Sequence, residues 1–169
     1  LPFEIFTVSD YDLKYYLICA FALKSENITL IATPNPSTIL RLKDIIDTNF
    51  ENLLRDIESG NLSCIKDIDP EKRKKINHKF KPNQLRASQL RELKKKRGNL
   101  NISDIWPKLK LISTWTSGNC STLLPALKAQ LSSKSFIGEV GYMSSEFRGT
   151  VNLDIRNETQ VPTLNENFF

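Results

Sequence analysis

The sequence has few of the residues that form disulfide frameworks, zinc sites and catalytic triads. Its 169 residues include three cysteines and one histidine. Cys19, Cys64 and Cys120 are far apart and contain no Cys-x-x-Cys pair, so the pattern favours neither a disulfide framework nor a zinc site. It fits a reducing compartment, and we expect a cytoplasmic protein. His78 lies in a basic cluster, far from any nucleophile-like turn, which argues against Ser-His-Asp chemistry.

Long hydrophobic runs are also missing. No apolar stretch is long enough to cross a bilayer and no signal peptide is recognisable, so we expect no membrane partner. The chain is 40% hydrophobic and 25% charged, which is ordinary for a globular domain with a sizeable core. It opens at Leu1 without Met and stops at Phe169. We therefore expect a piece of a longer polypeptide.

The net charge of +5 is small, and its excess comes from two clusters, at residues 72–81 and 94–97. Phe80 is the one aromatic residue interleaved with them, which gives a poor platform for stacking bases. A solvated helical face is the favoured interpretation, and we expect no nucleic-acid partner. A non-catalytic basic module that binds nucleic acid or an acidic protein remains the alternative function.

Helical periodicity dominates the first hundred residues. Apolar residues spaced three and four apart predict a helix over 11–24 and a long amphipathic helix from Ser37 to Gly60. Asp69-Pro70 is an N-cap followed by proline at the first helical position, and it starts a basic helix that ends near residue 78. A second basic helix is predicted over 84–97. We interpret residues 61–100 as a helical insertion.

Strand patterns dominate the remainder. Short apolar runs predict strands over 28–32, 109–115, 136–140 and 151–155, with a helix over 120–131. A strand, turn, helix and strand in that order form a βαβ unit. The predicted fold class is α/β: part of a layered domain with a mainly parallel sheet flanked by helices, plus the basic insertion.

Polar turns follow two of these strands. Thr116-Ser-Gly-Asn119 comes after the strand that ends at Trp115, and Tyr142-Met-Ser-Ser-Glu146 comes after Gly141. Parallel strands end at one edge of a sheet, so both turns should face one crevice. An aromatic ring, hydroxyls and a carboxylate suit a base, phosphates and Mg²⁺. On local pattern alone, however, Ser-Ser-Glu is more often a helix cap.

Three segments taken together resemble the Gretchen Hagen three family of auxin-responsive acyl-acid amido synthetases. They are Ile105-Trp-Pro-Lys-Leu-Lys-Leu-Ile112, Thr116-Ser-Gly-Asn-Cys-Ser-Thr-Leu-Leu-Pro125 and Gly141-Tyr-Met-Ser-Ser-Glu146. Upstream, residues 12–23 and 36–46 are also similar to the family. The resemblance spans nearly the whole chain and identifies residues 1–169 as a single domain, or a fragment of the large N-terminal domain, of an adenylate-forming enzyme.

The resemblance implies a ligase that uses ATP and Mg²⁺ to adenylate a small carboxylic acid and then transfers the acyl group to an amino acid. Tyr142 would contact adenine, Ser144 and Ser145 would contact the phosphates or acyl-adenylate in catalysis, and Glu146 would hold Mg²⁺. The remaining implied positions are Thr116, Ser117, Gly118 and Asn119 for the nucleotide and Tyr15, Tyr16, Cys19, Met143 and Phe147 for the acyl substrate.

The chain departs from the plant pattern at Met143 and over 147–150, so the resemblance does not specify a hormone as the acyl substrate. The family's phosphate loop would lie before Leu1, and its ribose-binding motif and mobile C-terminal domain would lie after Phe169. We therefore expect the 169 residues alone to be inactive.

Overall fold

The computed structural model describes residues 1–65, 68–144, 147–154 and 159–163. These residues divide into two compact units. The helical unit comprises Leu1–Ile28 and Arg41–Pro107, and the sheet unit comprises Thr29–Leu40 and the described part of Lys108–Phe169. One helix, α3 (Pro36–Thr48), starts within the sheet unit's first segment and ends within the helical unit.

The helical unit is built around aliphatic side chains that are fully buried. Leu17, Leu53, Ile57 and Leu90 each have no exposed surface, and burying such side chains contributes about 1.5–3 kcal/mol each. The helices of this unit besides α3 are α1 (Phe3–Phe6), α2 (Tyr11–Leu23), α4 (Phe50–Ser59), α5 (Pro70–Lys79), α6 (Gln84–Arg97) and α7 (Ile102–Ile105).

Short-range capping explains where three of these helices begin. The side chains of Asp10, Asp69 and Asn83 accept hydrogen bonds from backbone N–H groups in the first turns of α2, α5 and α6. Such caps satisfy donors that have no partner within the helix. Pro70 follows Asp69 at the start of α5, and its fixed φ suits the first helical turn.

The prediction of one long helix from Ser37 to Gly60 is wrong in one respect, because the structure divides this segment at Asn49 into α3 and α4. Asn49 has φ −110° and ψ 18°, and its side-chain amide donates to the Ile45 carbonyl at 3.1 Å. The Asn49 backbone N–H also donates to the Ile45 carbonyl at 3.0 Å, so the side-chain amide shares this acceptor with the helical hydrogen bond. The apolar face is nevertheless as predicted, since Ile46 and Phe50 on either side are buried.

The inward face of α6 includes a buried charged residue. Leu85 is 73% exposed, whereas Arg86 is 6% exposed and Leu90 is fully buried. The guanidinium of Arg86 donates to the carbonyls of Leu23 (3.0 Å) and Ile105 (2.6 Å). A buried arginine thus links three segments of the helical unit through carbonyl groups that lack helical partners.

The sheet unit contains a parallel sheet of β1 (Leu30–Ala32), β2 (Leu111–Thr114) and β3 (Phe136–Glu139), in that order. Ile31 is opposite Ile112, and Ser113 is opposite Gly138. The central strand β2 presents a fully buried Ile112. The predicted α/β class, with a mainly parallel sheet flanked by helices, is confirmed.

The crossover between β2 and β3 differs from the predicted helix over 120–131. A 3₁₀ helix (Gly118–Leu123) is followed by a short α-helix, α8 (Leu124–Lys128), with Pro125 in its first turn. Proline has no N–H to donate to a preceding carbonyl, so it fits where a helix begins and not in its interior. Leu127 is the buried residue of α8.

An antiparallel pair of strands follows, β4 (Thr150–Asp154) and β5 (Thr159–Pro162). β4 begins one residue before the strand predicted over 151–155, whose last residue is outside the described residues. Among the residues that the structure describes, no helix has the length and apolar character needed to span a membrane.

Candidate active site

Two polar turns meet at the carboxyl ends of β2 and β3. Because these strands are adjacent and parallel, the turns after Trp115 and after Gly141 leave the same edge of the sheet. The indole Nε1–H of Trp115 donates to the Gly141 carbonyl at 3.1 Å. The predicted proximity of the two turns is confirmed.

Glu139, the last residue of β3, is buried between these turns and is 5% exposed. Its Oε2 accepts from the backbone N–H and the hydroxyl of Thr116, both at 2.6 Å. The Ser117 hydroxyl is 3.5 Å from the same oxygen, and the Gly141 N–H donates to Oε1 at 3.1 Å. One carboxylate therefore binds donors from both turns.

These hydrogen bonds decide the charge of Glu139. Burial raises the pKa of its carboxyl, but hydrogen bonds from the hydroxyl and N–H of Thr116, and from the N–H groups of Gly141 and Val140, lower it. The hydrogen bonds prevail, and the pKa lies below its ordinary value of 4.5. The carboxylate is ionised at neutral pH and is stabilised mainly by hydrogen bonds to its charged form.

A cavity of about 390 Å³ opens beside this carboxylate, within the sheet unit. A volume of this size suits a small organic ligand. Indole and phenol rings, a hydroxyl and small glycines converge on it with Glu139. The lining residues are Trp115, Ser117, Gly118, Cys120, Glu139, Gly141, Tyr142, Met143 and Gln160.

Tyr142 presents its ring at this cavity, and 67% of the residue is exposed. The ring packs edge-to-face on Phe147, with centroids 5.8 Å apart and an interplanar angle of 80°. Both rings lie against Gly149, where an added Cβ would be 2.5 Å from Tyr142 Cδ1 and 2.8 Å from Phe147 Cζ. A glycine at position 149 is thus needed for the observed placement of the two rings.

The structure brings several predicted nucleotide residues together. Ser117, Gly118 and Tyr142 line the cavity, whereas Thr116 is buried beside it at 8% exposure. Asn119 is exposed in the 3₁₀ helix. Ser144 is exposed as well, and its backbone N–H donates to the Phe147 carbonyl at 2.7 Å. Ser145 and Glu146 lie outside the described residues.

The predicted acyl residues fall into two groups. Met143 lines the cavity and Phe147 lies beside Tyr142, so both belong to the same corner as the nucleotide candidates. Tyr15, Tyr16 and Cys19 lie on α2 in the helical unit. Their proposed role in an acyl pocket stays a prediction.

Tyr16 and Cys19 have local partners within the helical unit. The Tyr16 hydroxyl donates to Asp56 at 2.9 Å, and burial together with the Asp56 charge raises its pKa well above the usual range. The Cys19 thiol is 2% exposed and donates to the Leu42 carbonyl at 3.4 Å. Burial raises its pKa to about 12, so it is not a thiolate nucleophile at neutral pH.

The described residues contain no group of three or more His, Cys, Asp or Glu side chains arranged to hold a metal ion. The predicted Mg²⁺ ligand, Glu146, is not among these residues. Its carboxylate is the donor type that Mg²⁺ prefers, so its assignment to the metal stays a prediction based on residue chemistry.

An open α/β sheet with a cavity at the carboxyl ends of its strands defines a class of ligand-binding domain. A family model described as the GH3 family N-terminal domain matches residues 1–136 of this chain. Because the match covers well over half of the sequence, the chain belongs to the GH3 family. The matched range ends before Tyr142, so it does not itself include the second turn.

Two solved structures of acyl acid amido synthetases have a fold similar to that of this chain. One is GH3.15 acyl acid amido synthetase, with a TM-score of 0.76 and 22% identity over 91% of this chain and 27% of that one. Another is AtGH3.15 acyl acid amido synthetase in complex with 2,4-DB, with a TM-score of 0.72 and 22% identity, covering 85% of this chain and 26% of that one. This chain therefore spans about a quarter of their length, and the likeness shows the fold. No curated protein matches it by sequence.

Sequence reasoning missed Glu139, because the run Phe136–Val140 was interpreted as an apolar strand. The available signal was a carboxylate inside that run, two residues before Gly141. It also missed Gln160, which lines the cavity from β5. No local pattern places Gln160 there, because its position depends on the pairing of β4 with β5.

Proposed function

We propose that this chain forms part of an enzyme that uses ATP to adenylate a carboxylic acid, releases pyrophosphate and then transfers the acyl group to the amine of an amino acid. Membership of the GH3 family and the acyl acid amido synthetase fold of its structural relatives support this proposal. The observation that carries it is the cavity where the two turns meet.

The nucleotide is the substrate that the cavity suits best. Tyr142 offers an exposed ring whose position is fixed by contacts with Phe147 and Gly149. An aromatic face of this kind can stack on any nucleotide base, because every base has a π-face. Ser117 and Gly118 line the cavity from the other turn. The Ser117 hydroxyl and the Gly118 backbone, which carries no Cβ, allow close approach of a polar ligand. We assign Ser144 and Ser145 to the phosphates or the acyl-adenylate.

The proposed reaction joins two anions. The carboxylate oxygen of the acid attacks the α-phosphorus of ATP, the bond to the bridging oxygen breaks, and that oxygen leaves with pyrophosphate. No protein nucleophile is required, which agrees with the single histidine. When bound, Mg²⁺ would neutralise phosphate charge, and we assign Glu146 to hold it.

The acyl acid is not specified by these residues. Met143 and Phe147 lie at the same corner as Tyr142, and we propose that they contact the acyl group where it meets the nucleotide. Tyr15, Tyr16 and Cys19 on α2 are proposed as more distant parts of the acyl pocket. Of the three, Tyr15 is half-buried while Tyr16 and Cys19 are buried.

The test is carboxylate-dependent ATP–pyrophosphate exchange, measured on the longest native polypeptide that contains these residues and across a panel of acids. Exchange with one class of acid would support adenylation and identify the substrate class. A folded protein that supports no exchange with any acid would contradict the proposal and favour a non-catalytic relative or a binding module.

A further inference from the structure

Glu139 joins the two turns of the cavity through a single side chain. Its Oε2 accepts two bonds of 2.6 Å from Thr116, and its Oε1 accepts one of 3.1 Å from Gly141. The Asn152 side chain also donates to its backbone carbonyl at 3.0 Å. Both the carboxylate and the backbone of Glu139 are therefore held by neighbouring segments of the sheet unit.

A buried carboxylate at this position has a free-energy cost that an apolar side chain would avoid. Among the described residues no lysine or arginine forms an ion pair with Glu139. Its charge is offset by hydrogen bonds, which are strong when the acceptor is ionised. Unpaired buried charges are expensive and concentrate at functional sites. The location of Glu139 on the cavity wall agrees with that tendency.

We propose that Glu139 is a positioning residue for the adenylation reaction: its carboxylate fixes the turn at Thr116–Ser117 against the turn at Gly141–Tyr142. This inference rests on the proposed function. Fixing the turns holds the cavity residues Ser117 and Tyr142 at a set separation, and catalysis is sensitive to such placement because small shifts of substrate-positioning groups lower rates strongly.

The geometry also refines the role of Thr116. Its N–H and its hydroxyl both donate to Glu139, so neither hydrogen is available to a phosphate oxygen. Thr116 therefore acts with Glu139 behind the cavity wall. The residues of this turn that remain to meet the substrate are Ser117 and Gly118, which line the cavity.

Paired substitutions test the connection in the native polypeptide that contains this chain. Glu139→Gln is isosteric, and its amide can accept from Thr116 or from Gly141 but cannot accept from both sides. Thr116→Val removes one donor and keeps the side-chain shape. In the exchange assay, each single variant should lower kcat about tenfold or more while KM for ATP changes less than about threefold.

The double variant supplies a second criterion. If Glu139 and Thr116 act as one unit, Glu139→Gln with Thr116→Val should be no worse than the more impaired single variant. Multiplicative losses, or an unchanged kcat in folded Glu139→Gln, would overturn the inference. Glu51→Gln, an exposed carboxylate on α4, is the matched control and should leave both constants unchanged.

Amide hydrogen exchange separates this inference from the proposed function. In Glu139→Gln, protection of at least one of the Thr116 and Gly141 N–H groups should fall about tenfold or more relative to the Phe136 N–H, which donates to the Lys110 carbonyl in the same unit. A wild-type protein with no pyrophosphate exchange would defeat the proposed function. Unchanged protection would defeat the positioning role. If Glu139→Gln fails to fold, Glu139→Asp, shorter by one methylene, replaces it.

Discussion

Tyr16 and Asp56 form a hydrogen bond of 2.9 Å between buried side chains on α2 and α4. Asp56 also accepts from the backbone N–H of Ser63 at 3.2 Å. The aspartate thus links two helices and the segment that follows α4. Tyr16 therefore has a packing and hydrogen-bonding role in the helical unit, separate from the role proposed for it in an acyl pocket.

Removing the Tyr16 hydroxyl should destabilise the helical unit. Tyr16→Phe leaves a buried acceptor on Asp56 without this donor, and we expect a loss of about 1–3 kcal/mol in the free energy of unfolding. Urea unfolding measures it, and Tyr15→Phe, at a half-buried neighbour on the same helix, is the control. An unchanged stability with a higher KM for the acid would instead favour a substrate-binding role.

The Tyr142 ring should contribute to nucleotide affinity. Tyr142→Ala should weaken AMP binding by about 1–3 kcal/mol, the usual effect of removing a stacked aromatic, whereas Tyr142→Phe keeps the stacking face and should bind nearly normally. Isothermal titration with AMP distinguishes these results. If Phe and Ala weaken binding equally, the hydroxyl and not the ring face would be the contact.

Gly149→Ala probes the placement of the same ring without altering it chemically. Its Cβ would lie 2.5 Å from Tyr142 Cδ1, so the exposed ring should move while the fold remains. AMP affinity should fall severalfold with little change in the free energy of unfolding. Gly98→Ala controls for lost stability: no heavy atom lies within 4 Å of its added Cβ, but its φ of +75° strains any residue with a Cβ, so its free energy of unfolding should fall while AMP affinity stays unchanged. Equal loss of affinity in both variants would contradict a role for ring placement.

The features that could be predicted from the sequence are those that local contacts determine. Asp10 and Asp69 cap their own first turns, so a few adjacent residues were enough to locate α2 and α5. The apolar runs of β2 and β3 indicated a parallel sheet, and from it followed the meeting of the two turns.

The features that were missed depend on contacts between distant segments. Glu139 is stabilised by Thr116, which precedes it by an entire crossover. Arg86 is buried because it reaches the carbonyls of Leu23 and Ile105, and Leu85 is exposed as a consequence of the same helix orientation. Charge in a strand or helix normally indicates solvent, so its burial is visible only when the partners are known.

Substitutions at the basic end of α6 would distinguish an enzyme surface from a nucleic-acid interface. Lys95 and Lys96 are exposed, and the Lys94 ammonium lies 5.5 Å from the Phe50 ring centroid. Replacing all three with Gln should change exchange activity less than about tenfold, or 1.4 kcal/mol. A larger loss would show contact with substrate or a moving domain. Strongly salt-dependent DNA or RNA binding that the substitutions abolish would support the binding-module alternative.

Glu146→Ala should abolish Mg²⁺-dependent adenylation in the native polypeptide while leaving its stability unchanged, because the proposed role of Glu146 is ionic. Exchange activity measured over a range of Mg²⁺ concentrations checks this, with urea unfolding as the measure of fold. Glu51→Ala on the exposed face of α4 controls for loss of a carboxylate. Unchanged turnover of Glu146→Ala would refute its assignment to the metal.

Acid should destabilise the sheet unit through Glu139. Its pKa in the folded protein is below the ordinary value of 4.5, so the unfolded state binds the proton more readily. The stability that this difference contributes is fully present above about pH 4.5 and is lost as the pH falls through the lower, folded-state pKa. Urea unfolding from pH 7 to pH 3 should show a steeper acid loss in the wild type than in Glu139→Gln, which has no titrating group there. Parallel curves for the two proteins would mean that the Thr116 and Gly141 hydrogen bonds do not stabilise the charged carboxylate.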